Sequence, residues 1–171
     1  MTKTEIIKDD ITKLEIEAIV NAANEDLQAG GGVDGAIHVA AGPKLQQECN
    51  FLNSCLIGEA KLTNAYDLPA KYVIHTVGPV WGGGNKNESK MLKKCYLNSL
   101  RLAKEHNIKT IAFPAISAGG FGYPMELAAQ VAVPTILEFI EKDDHFEKIV
   151  FVLYDDENFN IYQKLCSPKE F

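Results

Sequence analysis

The chain has 171 residues, with 17 Lys or Arg against 23 Asp or Glu and a formal net charge of −6 at pH 7. That length suits one well-buried core spanning residues 1–171 and is short for two. The acidic balance argues against non-specific binding to a phosphate backbone, and no apolar run approaches membrane-spanning length. The N-terminal MTKTEIIKDDITK lacks a signal-peptide core, and Cys49, Cys55, Cys95 and Cys166 contain no C-x-x-C pair, so neither a zinc site nor a redox motif is indicated. A reduced, cytoplasmic protein without metal or cofactor is the expectation.

Thr4 to Lys8 reads as a first strand, ending at Asp9-Asp10-Ile11-Thr12, where the aspartates cap or turn the chain. Ala18-Ile19-Val20 is a short buried strand. It opens onto the most informative stretch, NAANEDLQAGGGVDGAIHVAAG over residues 21–42. Gly30, Gly31 and Gly32 lead through Val33-Asp34-Gly35 into a helix-like run, Ala36 to Ala41. Such a loop before a helix offers free N–H groups and a positive dipole end, which suit a phosphate; a glycine run is also the composition of a plain flexible loop. A carboxylate would repel that phosphate, so Asp34 faces neighbouring hydroxyls or a water, or is an ordinary first-turn acid. Gly30-x-Gly32-x-x-Gly35 matches the dinucleotide fingerprint, but that fingerprint needs its first glycine directly after a strand, and residues 21–29 intervene. His38 lies on the helical face of Asp34.

Pro43 to Ser54 follows as a helix with a first-turn proline. Lys61 to Ala65 and Tyr72 to Val77 are strands, and His75 within the second reads as structural. Gly82-Gly83-Gly84 reads as a flexible surface turn. Ser89 to Glu105 has helical spacing through Leu92, Tyr96, Leu100 and Ala103, and Lys109 to Phe113 is a buried strand. A second glycine-rich loop follows, from Phe113 to Pro124. Met125 to Glu141 is an amphipathic helix that Pro134 should kink or restart. Lys148 to Leu153 is a strand and Glu157 to Cys166 a last helix. Strands alternating with helices favour a mostly parallel sheet covered on both faces, with glycine loops at strand C-termini open to a ligand.

The blocks Asn21-Ala-Ala-Asn24, Gly30-Gly-Gly-Val-Asp-Gly-Ala-Ile-His38 and Ala40-Ala-Gly42, in that order and spacing, resemble the signature of the macrodomain family and of its MacroD-type branch. The resemblance implies an α/β fold, a macrodomain-like three-layer α/β/α sandwich with a central mixed, mostly parallel sheet. It also implies binding of ADP-ribose, often with hydrolysis of an ester at the distal ribose. By the same resemblance Asp10 reads the adenine amino group, Ile11 packs near the base and Tyr154 stacks on it. The loop carrying Asn21, Gly31, Gly32 and Val33 and the loop of Ser117, Ala118, Gly119, Gly120 and Phe121 clamp the diphosphate. Phe121 bounds the distal ribose, beside Asn24 and Asp34 as the catalytic pair. Ala118 and Gly120 depart from the family's usual Thr and larger residue. The implied partners are ADP-ribose, O-acetyl-ADP-ribose and mono-ADP-ribosylated proteins, bound by a monomer. A non-catalytic ADP-ribose reader is the alternative, and an RNA or poly-ADP-ribose binder is disfavoured by the acidic balance.

Overall fold

Successive strand residues point to opposite faces of a sheet, and here both faces are apolar, so both must be covered. The computed structural model describes residues 1–166. Six strands, β1 (Lys3–Lys8), β2 (Ala18–Ala22), β3 (Ala60–Asn64), β4 (Tyr72–Thr76), β5 (Thr110–Phe113) and β6 (Lys148–Leu153), form one sheet in the order β1-β6-β5-β2-β4-β3. Every neighbouring pair is parallel except β3 against β4. Val20, Ile111, Phe113, Ile149 and Phe151 share one buried layer with α3 (Glu88–Glu105), α4 (Met125–Lys142) and α5 (Asp156–Cys166). Ile19, Val73, Ala112, Val150 and Val152 share the other with α1 (Gly32–Ala41) and α2 (Pro43–Leu52). The three-layer α/β/α sandwich with a mixed, mostly parallel sheet is therefore as expected. No helix among the described residues is long and apolar enough to cross a membrane.

Four boundaries differ from the sequence reading in ways that matter. β2 runs on to Ala22, so Asn21 is a strand residue on the Ile19 face and not part of a loop. Helix α1 begins at Gly32, four residues earlier than Ala36, which puts Asp34 in its first turn. The last helix starts at Asp156. Helix α4 passes through Pro134 without restarting, with Thr135 Oγ1 donating to Val131 O at 2.6 Å. A helix-interior proline costs about 3 kcal/mol. Burial of Val133 and Ile136 on either side of it offsets that, at roughly 1.5–3 kcal/mol for each side chain.

Strand order places the functional edge. The chain leaves β2 for β3 and β4 on one side and reaches β5 and β6 on the other, so β2 and β5 flank a switch point. Their pairing, Ala18 with Ile111 and Ile19 with Ala112, brings the loops after both strands out side by side at the carboxyl edge.

Candidate active site

The loop after β2 is built by a few polar clasps. Asn24 is half-buried and closes a turn with Gln28, its Oδ1 accepting from Gln28 N (3.1 Å) and its Nδ2 donating to Gln28 O (2.7 Å). Gln46 on α2 props the loop from below, accepting from Ala29 N at 2.8 Å and donating to Leu27 O at 2.9 Å. The first intrahelical bond of α1 runs from Gly35 N to Gly31 O at 3.2 Å, so the amides of Gly32, Val33 and Asp34 precede it and point out of the helix start. Gly35 is required by proximity: a Cβ there would lie 2.4 Å from Gly30 O. Gly31 and Gly32 are exposed, with nothing within 4 Å of where a Cβ would sit.

Asp34 is the best-held side chain of the loop. Only 6% exposed, it accepts from Asn21 Nδ2 at Oδ1 (2.7 Å) and from Gly30 N at Oδ2 (2.6 Å), with His38 Nε2 at 3.5 Å from Oδ1. Burial pushes its carboxyl pKa up, but hydrogen bonds from His38, Asn21 and Gly30 outweigh that and hold it below the ordinary value. Asp34 is therefore a carboxylate at neutral pH. Gly30 sits between it and Asn24, since a Cβ on Gly30 would meet Asp34 Oδ2 at 3.3 Å and Asn24 Nδ2 at 3.6 Å. Asn24 and Asp34 are thus brought together. Asn21, expected as a ligand contact, is fully buried beneath Asp34 because β2 extends past it.

The loop after β5 turns back at Ser117, whose φ of +65° is left-handed, with Tyr123 N donating to Ser117 O and Gly122 N to Gly119 O, both at 3.0 Å. Gly119 and Gly120 are exposed, and Ala118 packs its methyl against the layer beneath. Phe121 is half-buried and tied to the β4–α3 connection by Trp81 N donating to Phe121 O at 2.8 Å. That connection is not the flexible turn its three glycines suggest. The buried Glu88 carboxylate accepts from the amides of Gly82 (2.9 Å), Gly84 (2.8 Å) and Lys86 (2.6 Å). Burial pushes the Glu88 carboxyl up, and the Gly84, Gly82 and Lys86 amides reverse that, taking it down to about 2. Trp81 then packs against Tyr123, the residue that closes the second loop, with ring centroids 4.6 Å apart and the rings tilted by 50°.

The two glycine loops thus leave neighbouring parallel strands at the same carboxyl edge, the first of them beside the buried Asp34 carboxylate. The macro domain family model matches residues 20–132, which include both loops. The chain belongs to the macro domain family. A macro domain-containing protein of Chlorobaculum tepidum is 56% identical over 158 residues, covering 92% of each chain. A relative from Escherichia coli K12, named O-acetyl-ADP-ribose deacetylase, is 51% identical and spans 98% of this chain and 97% of its own length. Among solved structures, the Oceanobacillus iheyensis macrodomain with ADP superposes with a TM-score of 0.92 at 40% identity, over 95% of this chain and 89% of that one. The Trypanosoma brucei macrodomain in complex with ADP-ribose gives 0.91 at 39%, over 96% and 69%.

In this macrodomain β1 and β6 end at the same carboxyl edge, where their last residues Lys8 and Leu153 are register partners. Asp10 caps the turn Ile11–Lys13, its Oδ1 accepting from Thr12 N (3.0 Å) and Thr12 Oγ1 (2.6 Å). The Thr12 hydroxyl holds its carboxyl below the ordinary range against the opposing effect of burial. Ile11 is buried at 5% exposure, and Tyr154, one residue past β6, stands 82% exposed. The macrodomain also uses residues the sequence reading left aside. Gln46 gave no signal, being one polar position on a helix. Glu88 had one: an acid at a helix start just after a glycine run rich in free amides.

Proposed function

We propose that this macrodomain is an ADP-ribosyl ester hydrolase that removes ester-linked groups from the distal ribose of ADP-ribose. Its substrates are O-acetyl-ADP-ribose and proteins carrying mono-ADP-ribose on Asp or Glu. The observation that carries the reading is Asp34, a buried and ionised carboxylate fixed by three donors, one glycine away from the Asn24 amide. In a module that only recognised ADP-ribose, a carboxylate beside the diphosphate would carry an electrostatic cost offset only by its helix-dipole and loop-ordering contacts. The deacetylase name of the E. coli relative and the ADP-ribose complex of the T. brucei macrodomain support the same reading.

In this reading the amides at the start of α1 and those of the Ser117–Phe121 loop hold the diphosphate without Lys or Arg, as backbone nests do. That is how an acidic chain binds an anion. Asp10, Ile11 and Tyr154 hold the adenosine end. Phe121 closes over the distal ribose, which Asn24 and Asp34 orient. A water oxygen adds to the ester carbonyl carbon, and the bond from that carbon to the ribose oxygen breaks. The ribose oxygen takes up one proton from the attacking water, and the released acid ionises and passes its proton to solvent. Asp34 accepts a hydrogen bond from the attacking water or from a ribose hydroxyl, a contribution of about 10²–10⁴-fold for a positioned acid–base group.

The test is direct. O-acetyl-ADP-ribose and a glutamate-linked mono-ADP-ribosylated protein are each incubated with the purified chain. Release of acetate and of ADP-ribose, above the uncatalysed rate, is the expected result. Tight binding of ADP-ribose with no release from either substrate would make this macrodomain a reader and overturn the proposal.

A further inference from the structure

Behind Asp34 runs a chain of buried polar side chains that touches neither cleft loop's surface. Asn21 on β2 and His75 on β4 are register partners, and both face the α1–α2 layer. Asn21 is 0% exposed, His75 1% and Thr63 on β3 0%. Asn21 Nδ2 lies 2.7 Å from Asp34 Oδ1 and 3.1 Å from His75 Nδ1, and His75 Nε2 lies 2.9 Å from Thr63 Oγ1.

The protons in this chain can be placed by elimination. Asp34 is ionised and accepts only, so Asn21 must turn its NH₂ toward it; the flipped amide would set two acceptor oxygens against each other. The NH₂ has a second hydrogen, and it points at His75 Nδ1. That nitrogen must then be unprotonated, so the ring proton resides on Nε2 and meets the Thr63 hydroxyl. A neutral ring is what the surroundings impose, since burial takes the His75 pKa down to about 4, with His38 lowering and Asp34 raising it. The other groups around His75 are Cys49 on α2, its Sγ 3.9 Å from Nε2, Cys55, whose thiol donates to His75 O, and Lys61, the register partner on β3. Burial raises both thiols to about 11, so neither supplies a charge. Among the described residues, Asn21 Oδ1 is left buried without a partner. An orphaned acceptor in a closed core needs a reason, and the need to serve Asp34 and His75 with the one NH₂ group supplies it.

We propose that His75 is a positioning residue for Asp34. Its Nδ1 lone pair captures one amide hydrogen of Asn21, aims the other at Asp34 Oδ1, and so fixes the carboxylate that faces the cleft. Thr63 holds the tautomer that makes this possible. The effect on rate rests on the catalytic reading of Asp34; the proton arrangement does not.

The experiment therefore has a readout without substrate. Ring ¹⁵N NMR of the wild-type chain should show His75 as the Nε2–H tautomer at pH 7, and the Nδ1–H tautomer there overturns the proposal. His75→Leu removes the acceptor, and His75→Gln keeps one in its side-chain carbonyl. His75→Leu should raise the Asp34 titration followed by carboxyl ¹³C NMR and lower kcat by about tenfold or more, with ADP-ribose affinity changed by less than about twofold. His75→Gln should recover most of both, which a residue that only filled space would not show. An Asp34 titration and kcat unchanged in both folded variants would overturn the proposal. If His75→Leu does not fold, the wild-type tautomer still decides. An Asp34 titration that moves while the rate does not supports the relay and counts against the catalytic reading of Asp34.

Discussion

Gly35→Ala separates the geometry of the first loop from its flexibility. The new Cβ would stand 2.4 Å from Gly30 O, whereas carbon–oxygen contacts settle at about 3.3 Å, so Gly30 must retreat by about 1 Å. Gly30 N donates to Asp34 Oδ2 at 2.6 Å, and a retreat of that size stretches the bond out of hydrogen-bonding range. Losing a hydrogen bond to a charged, buried acceptor costs about 1.5–3 kcal/mol. Opposing this, alanine inside a helix gains about 1 kcal/mol over glycine, and Gly35 lies inside α1. The loss wins by about 0.5–2 kcal/mol, which for a chain of this size lowers Tm by a few degrees. ADP-ribose affinity, measured by calorimetry on the folded variant, should fall by about tenfold, the equivalent of 1.4 kcal/mol lost from a displaced amide cradle. A variant with a raised Tm and unchanged affinity would refute the reasoning, showing that helix propensity outweighs the contact.

Glu88→Gln should leave the fold intact and loosen the Trp81–Lys86 turn, because a neutral amide holds three backbone donors less well than a carboxylate. Hydrogen exchange should quicken at Gly82, Gly84 and Lys86, and protection unchanged at all three would contradict the assignment. His75 sets a pH dependence of stability. Its folded pKa of about 4 lies below the ordinary histidine value of 6.5, so the unfolded chain takes up the proton first as pH falls. Stability should thus decline from about pH 6.5 to about pH 4, by roughly 3 kcal/mol in all. Denaturant unfolding across that window should give a flatter curve for His75→Gln, and parallel curves would refute it.

Much of this macrodomain is legible from periodicity. The strand and helix order follows from apolar alternation and helical spacing, and so does the place of the two glycine loops after β2 and β5. What the sequence hides is whatever depends on partners distant along the chain. Asn21 looks like a loop residue because it follows three apolar residues, yet pairing with β4 extends the strand through it and turns its amide inward. Gly82-Gly83-Gly84 looks flexible because its restraint is a side chain further on, folded back onto the amides. Pro134 looks like a helix breaker because local propensity takes no account of the buried layer that α4 must cover. His75 is buried as its apolar strand pattern suggests, but its link to Asp34 needs three strands and α1 in register to appear.

The account stands or falls on Asp34. Single-turnover hydrolysis of O-acetyl-ADP-ribose and ADP-ribose affinity should be measured on the same folded Asp34→Ala variant. An interaction made in the transition state and not in the bound state lowers turnover and spares binding. Hydrolysis should therefore fall by about 10²-fold or more, with affinity nearly unchanged or slightly higher once the carboxylate beside the diphosphate is gone. A hydrolysis rate per folded molecule equal to that of the wild-type chain would contradict the account and leave Asp34 as an ordinary first-turn acid.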